Sequence, residues 1–205
     1  MMMNPCAEHS DINVYALYVN EDLEDCLFDF FLSIVDEERR EQILRIKDKK
    51  KRDMKLLSRI FSMVCIKKEF GIDFKNQKFL SEVDGKPYLS GYPDVHFNVS
   101  HSGELIVCAV GREKVGIDVE KVREFKENLI FKVCNREERE RILNSVDTNA
   151  EFCKVWTKKE AYLKYLGEGI KSFNLKNIVY PDNLIMRTCE YGNFIMIVCS
   201  GKNEA

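Results

Sequence analysis

Asp118 and Glu120 stand two residues apart in the run Gly116-Ile117-Asp118-Val119-Glu120. On a strand that spacing turns both carboxylates to one face, about 6–7 Å apart at their Cα atoms, and leaves Ile117 and Val119 to a core. Neighbouring carboxylates repel, and a hard cation between them relieves the repulsion. Such oxygen ligands favour magnesium, which binds through one or two carboxylates together with substrate phosphates. The same pair also reads as a charged edge strand that discourages aggregation.

Three further runs carry chemistry. In Trp156-Thr157-Lys158-Lys159-Glu160-Ala161-Tyr162-Leu163-Lys164, Glu160 and Lys164 are one helical turn apart and share a face. They form either a surface ion pair or a third carboxylate with a cation for phosphate. Phe97-Asn98-Val99-Ser100-His101-Ser102-Gly103 sets one histidine and two hydroxyls at a strand end. Those donors suit phosphate oxygens; the alternative is a turn in which Asn98 and Ser102 satisfy local backbone groups. His96 lies on the strand itself and reads as structural. Arg45-Ile46-Lys47-Asp48-Lys49-Lys50-Lys51-Arg52 holds six positive charges in eight residues. It reads as a solvated helix face, as a seat for another phosphate, or as a surface that steers an acidic protein.

The elements that must position these groups come in blocks. Val14–Val19 reads as a first strand. Leu23–Ile34 and Glu37–Ile46 carry apolar residues at helical spacing, with Asp36 as N-cap between them. Met54, Leu57, Ile60, Phe61, Val64 and Cys65 mark an amphipathic helix that stops at Gly71. Gly85-Lys86-Pro87-Tyr88 and Gly91-Tyr92-Pro93-Asp94 read as turns. Val95–Val99, Leu105–Val110 and Val115–Val119 follow as strands of a meander, broken at His101-Ser102-Gly103 and Gly111-Arg112-Glu113. Asn135 to Glu138 forms a capping box, and Thr148 to Glu151 repeats it at the head of a helix that Gly167 ends. Phe173–Tyr180, Leu184–Tyr191 and Phe194–Cys199 read as three closing strands. The block order predicts an α+β chain of two similar halves, dividing near Gly111–Gly116 at residues 1–115 and 116–205.

Composition narrows the function. With 32 basic and 34 acidic residues the net charge is −2, which argues against a nucleic-acid binder. Met1 to Asp11 lacks the basic and apolar regions of a signal peptide, and the longest apolar runs fall well short of the roughly 20 residues of a membrane helix. A cytoplasmic protein with no membrane partner is expected. The eight cysteines contain no CxxC pair, which argues against a zinc site; Cys65, Cys108 and Cys199 lie in apolar runs and read as small buried hydrophobes.

Taken in order, Gly85-Lys86-Pro87, Phe97 to Ser102, Gly116 to Glu120 and Trp156 to Lys164 resemble the successive motifs of the 4′-phosphopantetheinyl transferases of the surfactin-synthetase type. The resemblance extends from about Glu37 to Tyr180 and includes Gly167-Glu168-Gly169-Ile170 through Phe173. It implies a pseudo-dimer of two halves in one monomeric chain, with coenzyme A in the cleft between them. It further implies transfer of the phosphopantetheine arm onto a serine of an apo acyl or peptidyl carrier protein, with release of 3′,5′-ADP. By the same resemblance Asp118, Glu120 and Glu160 are the magnesium ligands, Glu160 the base, Lys164 the pyrophosphate lysine, and Ser100, His101 and Lys86 contacts of coenzyme A. Arg45, Lys47, Arg52 and Lys55 are candidates for its 3′-phosphate. A nucleotide pyrophosphate hydrolase and an inactive relative that only binds coenzyme A or carriers are the rival readings.

Overall fold

The computed structural model describes residues 12–82, 85–168 and 174–201. Alternating apolar residues form β1 (Ile12–Tyr18), followed by α1 (Asp25–Ile34), α2 (Glu37–Leu44) and α3 (Lys49–Phe70). Asp36 caps α2 by accepting from the Arg39 amide at 2.9 Å, and Asp48 does the same for α3 through Lys51. Gly71 ends α3 with φ of 69°, a left-handed conformation that glycine adopts without steric cost. A short hairpin, β2 (Phe79–Ser81) and β3 (Pro87–Leu89), precedes β4 (His96–Ser102) and β5 (Leu105–Gly111). The first sheet has the antiparallel order β1-β5-β4.

The chain then repeats this plan. β6 (Val115–Lys121) leads into α4 (Glu127–Val133), α5 (Arg136–Leu143) and α6 (Thr148–Leu166), and the hairpin β7 (Leu184–Tyr191) and β8 (Phe194–Gly201) closes it. The second sheet is ordered β6-β8-β7. In each half a first strand waits through a helical block and pairs with the second strand of a later hairpin. The protein thus has the α+β fold of two similar halves that its motif order implies.

The expected meander does not form. β6 leaves β5 and joins β8 in the other sheet, because β5 already has β1 and β4 on its two edges. β6 instead lies beside β4, and side chains bridge this seam. Asn98 Oδ1 accepts from the Ile117 amide at 3.0 Å, and Ser102 Oγ accepts from the Lys121 amide at 3.1 Å. One apolar cluster spans both halves, with Val14, Leu105 and Val107 packed against Ile117, Val119, Met196 and Val198.

Other boundaries also move. His101 and Ser102 are strand residues of β4, and the chain turns at Gly103. The cap of α6 is Asp147, one residue before Thr148, accepting from the Ala150 amide at 2.9 Å. Residues 178–180 are not a strand, and Leu175–Asn177 is a 3-10 turn; Phe173 lies outside the described residues. Asn135 and Glu138 do form the reciprocal capping box. Cys65, Cys108, Cys134, Cys153 and Cys199 are buried free thiols, and Cys26 is exposed. Among the described residues no helix is long and apolar enough to cross a membrane.

Candidate active site

β4 and β6 form the floor of a cavity of about 370 Å³. Alternation along β6 turns Asp118 and Glu120 into it while Ile117 and Val119 stay in the core. α6 crosses β6 closely: a Cβ on Gly116 would meet the Ala161 carbonyl oxygen at 2.2 Å and the Tyr165 nitrogen at 2.3 Å. That approach brings Glu160 and Lys164, on one face of α6, over the carboxylates of β6. From the first half, α2 contributes Arg39 and α3 contributes Lys55, Ser58, Arg59 and Ser62. Cations of the first half thus face carboxylates of the second.

The Lys164 ammonium donates to Asp118 Oδ1 at 2.7 Å and to Ser100 Oγ at 2.8 Å. Ser100 Oγ lies 2.7 Å from the same Asp118 oxygen. Asp118 is buried, and its second oxygen, Oδ2, has no partner among the described residues. Glu120 accepts from Ser102 Oγ at 2.9 Å and from Trp156 Nε1 at 3.2 Å. Its carboxyl is pushed upward, first by burial and then by Asp118. Glu160 is raised to about 7, first by burial and then by Asp118, with Lys164 opposing. His101 is held below its usual range by enclosure in the cleft and by Lys55 and Lys164. Among the described residues, no three histidine, cysteine or carboxylate side chains are gathered closely enough to form a ready-made metal cluster.

The cavity therefore unites Ser100, His101, Asp118, Glu120, Glu160, Lys164 and Lys55. Four candidates for phosphate contact fall elsewhere, and of these Lys47 is exposed and does not line the cavity. Arg45 is largely exposed and pairs with Glu41 at 3.0 Å. Arg52 lies 4.2 Å from the centre of the Phe28 ring and pairs with Asp53. Lys86 points under the cleft, donating to the carbonyls of Val115 at 3.1 Å and Tyr165 at 3.4 Å, so that Pro87 lines the cavity in its place. Burial and then Lys114 lower the Lys86 ammonium to about 8.

Arg39, Ser58, Arg59 and Ser62 were not legible as site residues from charge density. Arg59 is 7 % exposed, its guanidinium stacks 4.0 Å from the Phe79 ring centre, and its Nε has no partner among the described residues. Burial, then the neighbouring Arg39, lowers it to about 10. A signal existed: Lys55, Ser58, Arg59 and Ser62 recur at helical spacing, a polar stripe among the apolar residues of α3.

The chain repeats strand, helices and hairpin, and where the halves meet it sets donors suited to anionic groups against carboxylates suited to a cation. Comparison with known families agrees. The 4′-phosphopantetheinyl transferase superfamily matches residues 114–188, and the N-terminal region of 4′-phosphopantetheinyl transferases matches residues 24–113. The chain belongs to the 4′-phosphopantetheinyl transferase superfamily and is a transferase enzyme of that type. It is 27 % identical to the 4′-phosphopantetheinyl transferase Sfp of Bacillus subtilis over 161 residues, 78 % of this chain and 72 % of that one. Identity to the transferase gsp of Aneurinibacillus migulanus is 27 % over 183 residues, 84 % of this chain and 76 % of the relative. A shorter match, 36 % over 108 residues, covers 49 % of this chain and 46 % of the transferase HetI of Nostoc.

Proposed function

We propose that this enzyme moves the phosphopantetheine arm of coenzyme A onto a serine of an apo carrier protein and releases 3′,5′-ADP, with halves at residues 1–115 and 116–205. The observation that carries the reading is the single cavity in which Arg39, Lys55, Arg59 and His101 face Asp118, Glu120, Glu160 and Lys164. A bisphosphorylated nucleotide with a pyrophosphate needs several cations at fixed places, and the cavity offers them.

Asp118, Glu120 and Glu160 are the residues that would hold magnesium. They fit it: all are hard oxygen donors, and the buried Asp118 Oδ2 has no other partner among the described residues. Magnesium held by these residues would supply positive charge against that accumulating on the pyrophosphate oxygens. Lys164 keeps Asp118 and Ser100 aligned and meets the leaving phosphate. Arg39, Lys55, Arg59 and His101 orient the nucleotide end of coenzyme A. The serine oxygen of the carrier attacks the β-phosphorus, the bond from that phosphorus to the bridging oxygen breaks, and the electron pair leaves with 3′,5′-ADP. Glu160 accepts the serine proton, directly or through water. Arg45, Lys47, Lys50 and Lys51 are exposed and attract an acidic carrier rather than coenzyme A.

Incubation with coenzyme A, magnesium and an apo acyl carrier protein should add one phosphopantetheine mass to the carrier, read by mass spectrometry. Chelation should stop the gain, and Asp118→Ala should abolish it with an unchanged circular-dichroism spectrum. Adenosine bisphosphate formed without any carrier present would replace this reading with hydrolysis.

A further inference from the structure

Glu120 is held unlike its two neighbours. Each of its oxygens accepts one hydrogen bond from a neutral donor: Oε2 from Ser102 at 2.9 Å and Oε1 from the Trp156 indole at 3.2 Å. Ser102 is itself oriented, because its oxygen accepts from the Lys121 amide across the seam. Trp156 is anchored from behind, packing on the cluster of Ile130, Val133, Ile142, Phe152 and Val155 that α4, α5 and α6 share. It is also the only tryptophan in the chain. The clamp leaves the carboxylate its charge, and Ser102 and Trp156 come from opposite sides of the seam.

We infer that Ser102 and Trp156 are positioning residues that fix the Glu120 carboxylate in the orientation a divalent cation requires. This rests on the proposed metal role of Glu120. Two neutral donors suit the task, since a lysine or arginine at the same place would compete with the cation for the carboxylate. Donors of this kind behind a metal ligand commonly govern affinity by about 10- to 100-fold. The geometry also links the cluster under α4 and α5 to the cleft through one indole N–H.

Free Mn²⁺, followed by electron paramagnetic resonance in the presence of coenzyme A, measures the affinity directly and without turnover. Ser102→Ala and Trp156→Phe should each weaken Mn²⁺ binding about tenfold, while Ser102→Thr, which keeps the hydroxyl, should stay near the parent protein. Tryptophan emission of the parent should change as Mg²⁺ is added with coenzyme A, and Ser102→Ala should need more Mg²⁺ for the same change. Parent-like Mn²⁺ affinity in both Ser102→Ala and Trp156→Phe would overturn the inference and leave the two residues a packing role only. Failure of the parent protein itself to bind Mn²⁺ would instead remove the metal reading on which the inference stands. Should Trp156→Phe fold poorly, the Ser102 pair decides alone.

Discussion

Two of the three carboxylates of the cleft are restrained by hydrogen bonds. Asp118 is locked by Lys164 and Ser100, Glu120 by two neutral donors, and no hydrogen bond or ion pair with a described residue holds Glu160. Glu160 is left to burial first and then to repulsion from Asp118, with Lys164 opposing. Its carboxyl is raised in the folded state to about 7 from the ordinary 4.5 of a glutamate, so the fold prefers it protonated. Stability is then lost as pH rises from the unfolded value through the folded one. Glu160→Gln should melt above the parent at pH 8 without metal and level with it near pH 4, as differential scanning calorimetry would register. The cationic wall has an equally specific test. Arg39→Ala or Arg59→Ala removes a charged donor from the cavity, a loss of about 1.5–3 kcal/mol for such a hydrogen bond. Coenzyme A affinity, measured by titration calorimetry, should fall at least tenfold, whereas Arg45→Ala should leave it unchanged.

At the level of elements, the close crossing of α6 over β6 governs the site. Gly116 permits it, and its neighbours are backbone atoms that cannot rotate away. Gly116→Ala should cost about 1–3 kcal/mol by overpacking and should depress transfer activity further than stability alone accounts for, since Glu160 and Lys164 move with the helix. Comparison of turnover and thermal midpoint in this variant separates the two effects. A buried ammonium ties down the other face of α6: Lys159 Nζ bonds Glu138 at 2.6 Å and the carbonyls of Val133 and Leu175 at 2.9 and 2.7 Å. Much of this layer was legible beforehand. Asp36, Asn135, Gly71 and Gly167 mark helix ends by local chemistry, and Asp118 and Glu120 share a face by the period of a strand. The partner of β6 was not legible, because strand pairing is decided by which edges remain open and not by any local pattern. The cationic wall escaped for a related reason: charge density in 45–52 says how many lysines and arginines there are, while direction depends on where the helix is docked.

For the molecule as a whole, the shared apolar cluster outweighs the duplicated plan. Val14, Leu105 and Val107 from one half and Ile117, Met196 and Val198 from the other bury one another, so parting the halves would expose apolar side chains of both. Thermal unfolding should be a single transition, with near-ultraviolet signals from Trp156 and far-ultraviolet signals from the backbone coinciding. Two separated transitions would mean that the halves are independent bodies joined only by the chain.

The pairing of β6 with β8 also sets an order of events during synthesis. Asp118 lies opposite Ile197, and Glu120 opposite Ile195, so the strand that bears both carboxylates has no ladder until residues 194–201 leave the ribosome. β1 likewise waits for β5, with Tyr18 opposite Leu105 and Ile12 opposite Gly111. Contacts this distant along the chain form slowly. Until they do, β6 is a bare apolar edge with acidic residues, open to the wrong neighbour, and a ribosome that stalls before Phe194 releases a chain with its cations in place and its carboxylates adrift.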